Sequence, residues 1–186
     1  VNSDDRRLIA ACLAGRTTEF NTLVLRYQDR LFNSVLRVVQ NPDDAADVVQ
    51  ESFINAFQSL KAFKGDSEFF TWLYRIAFNA AISQKRKKRP VRPLESADGE
   101  WAVHPADESH GIDPGDRIDR EERDRQLYMA MAKLTDDHRT ALVLRDIDDL
   151  SYEQMAEVLD VPIGTVRSRL NRARLELRDR LEEMGD

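Results

Sequence analysis

Residues 150–177 read LSYEQMAEVLDVPIGTVRSRLNRARLEL, and the punctuation within this stretch decides the fold. Ser151 and Gln154 form the S-x-x-Q pattern of a capping box, which starts a helix. That helix is short and keeps the small Ala156 where a second helix must approach. Asp160, Val161 and Pro162 break it, and a longer Arg-rich helix follows with Pro162 near its start. A short helix, a tight turn and a longer basic helix make a helix-turn-helix pattern. At about 100° per residue, Val166, Leu170, Ala173, Leu177 and Leu181 share one stripe of the longer helix. Arg167, Ser168, Asn171 and Arg172 fall roughly opposite. A recognition helix uses its N-terminal half in the major groove. There Arg can bind guanine bidentately, Asn can bind adenine, and Ser or Arg can hold phosphates. Acids return at Glu176, Asp179, Glu182 and Glu183, so base contact is expected to stop near Arg172 or Arg174. An ordinary amphipathic helix with a solvated arginine face is the alternative; cap, turn and arginine placement together favour DNA.

The surrounding chain is all-α by the same signals. Apolar residues recur at helical spacing, and no hairpin dipeptide appears. Helices are expected near 3–14, 17–39, 43–60 and 67–88, then near 116–133, 136–147, 152–159 and 163–183. Asn41 as N-cap, Pro42 at the first helical position and Asp43 and Asp44 behind it mark the third start. Residues 90–115, PVRPLESADGEWAVHPADESHGIDPG, hold four of the six prolines and show no period. They read as an acidic flexible linker between two small helical domains, 1–89 and 116–186. Trp101 stands out in that linker, either docking elsewhere or forming a local clasp.

Of 186 residues, 33% are charged and the net charge is −6, which argues against a generic polyanion binder. The distribution is uneven. Residues 1–89 are net +4, 90–115 net −5 and 116–186 net −5, yet residues 162–180 alone are net +4. A local basic stripe on an acidic domain suits one defined nucleic-acid face. Cys12 is the single cysteine, so no intramolecular disulfide or cysteine-rich zinc site is expected, and it reads as a buried helical thiol. The three histidines, at 104, 110 and 138, lack metal-ligand spacing. No phosphate-binding glycine loop or nucleophile elbow occurs, so an enzyme and a cofactor are not expected. With no membrane-length apolar run and no leader pattern, a cytoplasmic location is expected.

At this point the sequence resembles a known family. GTVRSRLNRAR is similar to the −35-reading helix of bacterial RNA polymerase sigma factors of the extracytoplasmic-function (ECF) group. LRDIDDLSYEQMAEVLDVPIGTVRSRL resembles their region 4 nearly throughout, departing at Asp149, where the family often has glycine for a left-handed turn. DDAADVVQESFINAFQSL resembles region 2.2. On it Val49, Phe53, Phe57 and Leu60 form a core stripe, while Asp47, Gln50, Glu51, Asn55 and Gln58 stay polar. The resemblance implies that Asp47, Gln50 and Glu51 dock on the largest subunits of core RNA polymerase.

FKGDSEFFTWLYRIAFNAA, residues 63–81, resembles regions 2.3 and 2.4, which melt the −10 element and capture a flipped base. On a helix, Phe69, Phe70, Leu73, Tyr74, Ile76, Ala77 and Phe78 cover a wide apolar arc. Glu68, Thr71, Arg75, Asn79, Ser83 and Arg86 occupy the rest, with Trp72 beside Asn79. Phe63 and Trp72 are thus the rings left for an outside partner, or are half-exposed without a ligand. An aromatic flanked by Arg and Asn suits an unstacked base, so Phe63, Trp72, Arg75 and Asn79 are the −10 candidates. The basic run KRKKRP, residues 85–90, would lie on nearby phosphates. Taken whole, the resemblance implies an alternative sigma factor of the compact two-domain group. Its implied partners are core polymerase, duplex −35 DNA, single-stranded −10 DNA and an anti-sigma factor. The competing reading is a stand-alone helix-turn-helix regulator, against which the docking motif at 47–51 argues.

Overall fold

A computed structural model of the chain describes residues 2–88 and 114–185. All regular structure among these residues is helical, arranged as two helical domains. The N-terminal domain holds α1 (Ser3–Leu13), α2 (Phe20–Val39), α3 (Pro42–Gln58) and α4 (Phe69–Lys88). The C-terminal domain holds α5 (Pro114–Ala132), α6 (Asp136–Leu142), α7 (Tyr152–Leu159) and α8 (Ile163–Gly185). The expected linker, with Trp101, His104 and His110, lies almost wholly outside the described residues.

Local chemistry sets the helix ends. Asn41 Oδ1 accepts the backbone N–H of Asp44 at 2.9 Å, with Pro42 at the first helical position, as expected of an N-cap. Both halves of the Ser151–Gln154 capping box are present, at 2.8 and 3.2 Å. Asp160 closes α7 in the left-handed region, at φ 52. Asp149 also adopts a left-handed turn, at φ 57. Its aspartate is tolerated where glycine would be easier, and Arg145 spans the turn by donating to the Leu150 carbonyl at 2.8 Å and the Asp149 carboxylate at 3.2 Å.

The N-terminal core gathers Leu23, Leu31, Val35, Val48, Phe53, Leu73, Tyr74 and Phe78; the C-terminal core gathers Leu144, Met155, Val158, Val166, Leu170 and Ala173. Each fully buried aliphatic or Phe side chain stabilises its fold by about 1.5–3 kcal/mol. Cys12 is buried, and burial pushes its thiol above the ordinary range. One expectation is corrected on α3. Phe57 is not core but 42% exposed, edge-on to Phe20 with ring centroids 5.1 Å apart. It lies one residue from the end of α3, with Phe20 packed against it.

The two domains pack on each other. Carbonyls near the C-terminal end of α2 find donors in the C-terminal domain. Arg139 donates to the Val38 carbonyl at 3.0 Å and Tyr128 to the Leu36 carbonyl at 3.5 Å. The Leu36 carbonyl also accepts the Gln40 N–H at 2.8 Å, while Val38, in the last turn, is among the carbonyls that a helix end leaves for outside donors. Arg139, itself buried, also donates to the Met131, Ala132 and Leu134 carbonyls at 2.8 Å each, and so closes the end of α5. Lys85 reaches Val38 O at 3.2 Å and Asp136 at 2.5 Å.

Candidate nucleic-acid interface

The longer helix, α8, is laid on its domain by the stripe read from the sequence. Val166, Leu170 and Ala173 are buried, while Leu177 and Leu181 are half-buried. Arg167, Ser168, Asn171 and Arg172 are all exposed. The other cations of this helix are committed elsewhere. Arg169 faces Asp137 at 3.4 Å, and Arg174 forms a two-pronged ion pair with Asp146 at 2.5 and 3.1 Å. Arg174 is itself exposed, but its guanidinium is held against Asp146. The Arg167 guanidinium sits 5.7 Å from the Tyr152 ring centre, a cation–π placement that aims it without consuming its donors.

On α3, Asp47, Gln50 and Glu51 are exposed along one face. At helical spacing this face also carries Ile54, 48% exposed, and Phe57 at its border. Ile54 does not stand out in the sequence, where its polar neighbours define the face. Ile54 and Phe57 together add exposed apolar surface to this polar face.

The aromatic cluster differs from expectation. Trp72 is 8% exposed, packed against Phe63 and Phe69 with ring centroids 5.3 and 5.8 Å apart. The loop before α4 folds Phe63 back over the indole, which a helical projection of α4 cannot register. Phe63 is half-buried and touches Phe69 at 5.8 Å, edge-on. Trp72 is thus not a ring left over for an outside partner in this conformation. Arg75 and Asn79 are exposed on the polar arc, as expected. Thr71, on the same arc, is buried.

Comparison with known proteins fits this geometry. The family described as "Sigma-70 region 2" matches residues 23–91, and "Sigma-70, region 4" matches residues 124–177. The RNA polymerase sigma-H factor of Pseudomonas aeruginosa is 38% identical over 178 residues, covering 91% of this chain and 90% of that protein. The ECF RNA polymerase sigma-E factor of Haemophilus influenzae is 36% identical over 187 residues, covering 97% of this chain and 96% of that protein.

The chain belongs to the sigma-70 family, in its ECF group.

It is an alternative sigma factor that directs transcription initiation. Two solved structures share its architecture. CnrH in complex with the cytosolic domain of CnrY is 26% identical, with a TM-score of 0.70 over 97% of this chain and 99% of that one. The sigma factor RpoE of Bartonella quintana in complex with the anti-sigma factor NepR is 27% identical, with a TM-score of 0.68 over 88% and 97%. Among the described residues of this ECF factor, no helix is long and apolar enough to cross a membrane.

Proposed function

We propose that this sigma factor docks on core RNA polymerase through Asp47, Gln50 and Glu51 of α3, flanked by Ile54 and Phe57. It reads duplex −35 DNA with Arg167, Ser168, Asn171 and Arg172, and holds single-stranded −10 DNA with Phe63, Arg75 and Asn79. Trp72 serves the −10 site as the buried ring on which Phe63 rests. Residues 1–89 then carry docking and melting, 116–186 carry −35 recognition, and 90–115 join them. The chain does no covalent chemistry and acts in the cytoplasm, while polymerase makes the RNA. The likeness to sigma factors held by NepR and by the cytosolic domain of CnrY supports an anti-sigma factor as a further partner.

The observation that carries this reading is the division of the α8 arginines. Arg167 and Arg172 are exposed, while Arg169 and Arg174 are paired with acids. Arg172→Ala is expected to weaken −35 recognition by about 1–3 kcal/mol if its contact is a bidentate base contact. Holoenzyme binding to promoters differing only at −35 checks it. Equal losses on every −35 sequence would mean that Arg172 holds phosphate alone. On the docking face, Glu51→Lys is expected to weaken core polymerase binding roughly tenfold, about 1.4 kcal/mol, with unchanged circular dichroism. Native-gel titration with core enzyme reads this, and unchanged affinity would remove Glu51 from the interface.

A further inference from the structure

Asp5 is a buried carboxylate that neither DNA face nor the docking face uses. It lies in the first turn of α1 and is 2% exposed. Both of its oxygens are taken by consecutive residues of α2. Arg26 Nη1 donates to Oδ1 at 2.5 Å, and Tyr27 OH donates to Oδ2 at 2.5 Å. Burial, and then the bond to Asp5, push the Tyr27 phenol well above its ordinary range, so it stays a donor at any working pH. The carboxylate is not needed to hold α1 down. Leu8, Ile9, Ala11 and Cys12 already bury the apolar face of that helix, and a buried ion pair adds little stability over apolar packing. What the carboxylate adds is direction: it fixes where the Tyr27 ring points.

That ring faces the start of α4. Its centroid is 5.8 Å from that of Phe69 and 5.3 Å from that of Phe70. Phe69 is fully buried, and it also meets Phe63, edge-on at 5.8 Å, and Trp72 at 5.8 Å. Phe63 is the one large apolar side chain in the segment 61–68, KAFKGDSE, so its aromatic contacts anchor the loop before α4. A connected series runs from Asp5 through Tyr27 and Phe69 to Phe63. Each ring contact has a preferred geometry, and a close-packed interior passes the displacement of one ring on to the next.

We propose that Asp5 and Tyr27 are positioning residues for −10 strand capture, with α1 setting, through the Tyr27 ring and Phe69, where Phe63 stands. This rests on the assignment of Phe63 to −10 DNA. Loss of the Tyr27 hydroxyl leaves every ring present but frees the Tyr27 ring to tilt. Phe63 then meets an unstacked base in several orientations instead of one, and the contact weakens because the ordering is done on binding.

The test is a mutant cycle in the full-length chain assembled with core polymerase. Its members are Tyr27→Phe, Phe63→Ala and the two together, each shown to be folded by circular dichroism. Affinity is measured for a single-stranded −10 oligonucleotide and for a −35 duplex. Tyr27→Phe is expected to weaken oligonucleotide binding at least about fivefold, the low end of what one base stack is worth, with −35 duplex binding unchanged. The double variant is expected to bind no more weakly than Phe63→Ala alone, since two residues acting through one contact are not additive. Unchanged oligonucleotide affinity in Tyr27→Phe, while Phe63→Ala loses it, overturns the proposal. So do losses that multiply in the pair, or a matching loss on the −35 duplex, which would mark general destabilisation. Asp5→Ala is expected to reproduce Tyr27→Phe, and a folded Asp5→Ala chain with the parent's affinity also overturns it. If Asp5→Ala does not fold, Tyr27→Phe, which removes a single oxygen, decides. Phe63→Ala without loss would instead remove the −10 assignment on which the proposal stands, so the two failures are told apart by which single variant is silent.

Discussion

Replacing Arg139 with alanine is expected to cost about 3–5 kcal/mol of folding stability. The guanidinium is buried and donates to four backbone carbonyls, three at the end of α5 and Val38 O at the end of α2, besides meeting Asp136 at 3.3 Å. The bonds to the Met131, Leu134 and Val38 carbonyls are buried, so losing the guanidinium leaves buried acceptors unsatisfied. Burial lowers the arginine's own pKa, with Asp136 and Tyr128 opposing. The charge stays, because guanidinium titrates far above any working pH. Lysine keeps the charge but not the fork, so Arg139→Lys should recover only a minor part of the loss. Urea titrations of the full chain, followed by circular dichroism, check both variants. A loss below about 1 kcal/mol for Arg139→Ala, the net worth of a single ordinary hydrogen bond, would show that these carbonyls are satisfied in another way.

Trp72→Ala is expected to cost about 3–5 kcal/mol, the range for truncating a buried aromatic. The indole is enclosed by Phe63 and Phe69, so its loss opens a cavity and releases the loop that carries Phe63. Phe70→Ala should fall in the same range, because Phe70 packs on Tyr74 with ring centroids 4.0 Å apart. Thermal melts of the two variants should therefore be displaced together, and promoter opening should slow with Trp72→Ala because Phe63 loses its support. If Trp72→Ala melted like the parent and only strand separation suffered, the indole would be a direct DNA contact that leaves its pocket on binding.

Much of the fold was legible because its signals are local. The Asn41 cap, the Ser151–Gln154 box and the Val166–Leu170–Ala173 stripe depend on residues within one or two turns, and the structure places all of them as read. Errors arose where a second element decides the environment. A helical projection put Trp72 beside Asn79 on a polar arc, but Phe63 folds over it from a preceding loop. The same kind of projection put Phe57 in the core, yet α3 ends there and half the ring stays open. Thr71 and Ser34 read as ordinary polar positions. They are buried because Gln154 and Asp148 arrive from more than eighty residues away, and no spacing rule within one helix announces such a partner. Arg139 was invisible for the same reason: one arginine on a short helix does not reveal which carbonyls surround it. The exposed side of α8, proposed here for −35 DNA, was easier to read because exposure needs no partner.

Run-off transcription on genomic fragments, with purified core RNA polymerase and the full-length chain, tests the central claim most directly. The account predicts transcripts with discrete start sites that appear only when both are present, with Arg172→Ala reducing those from promoters that depend on their −35 element. Specific duplex binding by the chain alone, as a symmetric dimer and with no transcript gained from core polymerase, would contradict it.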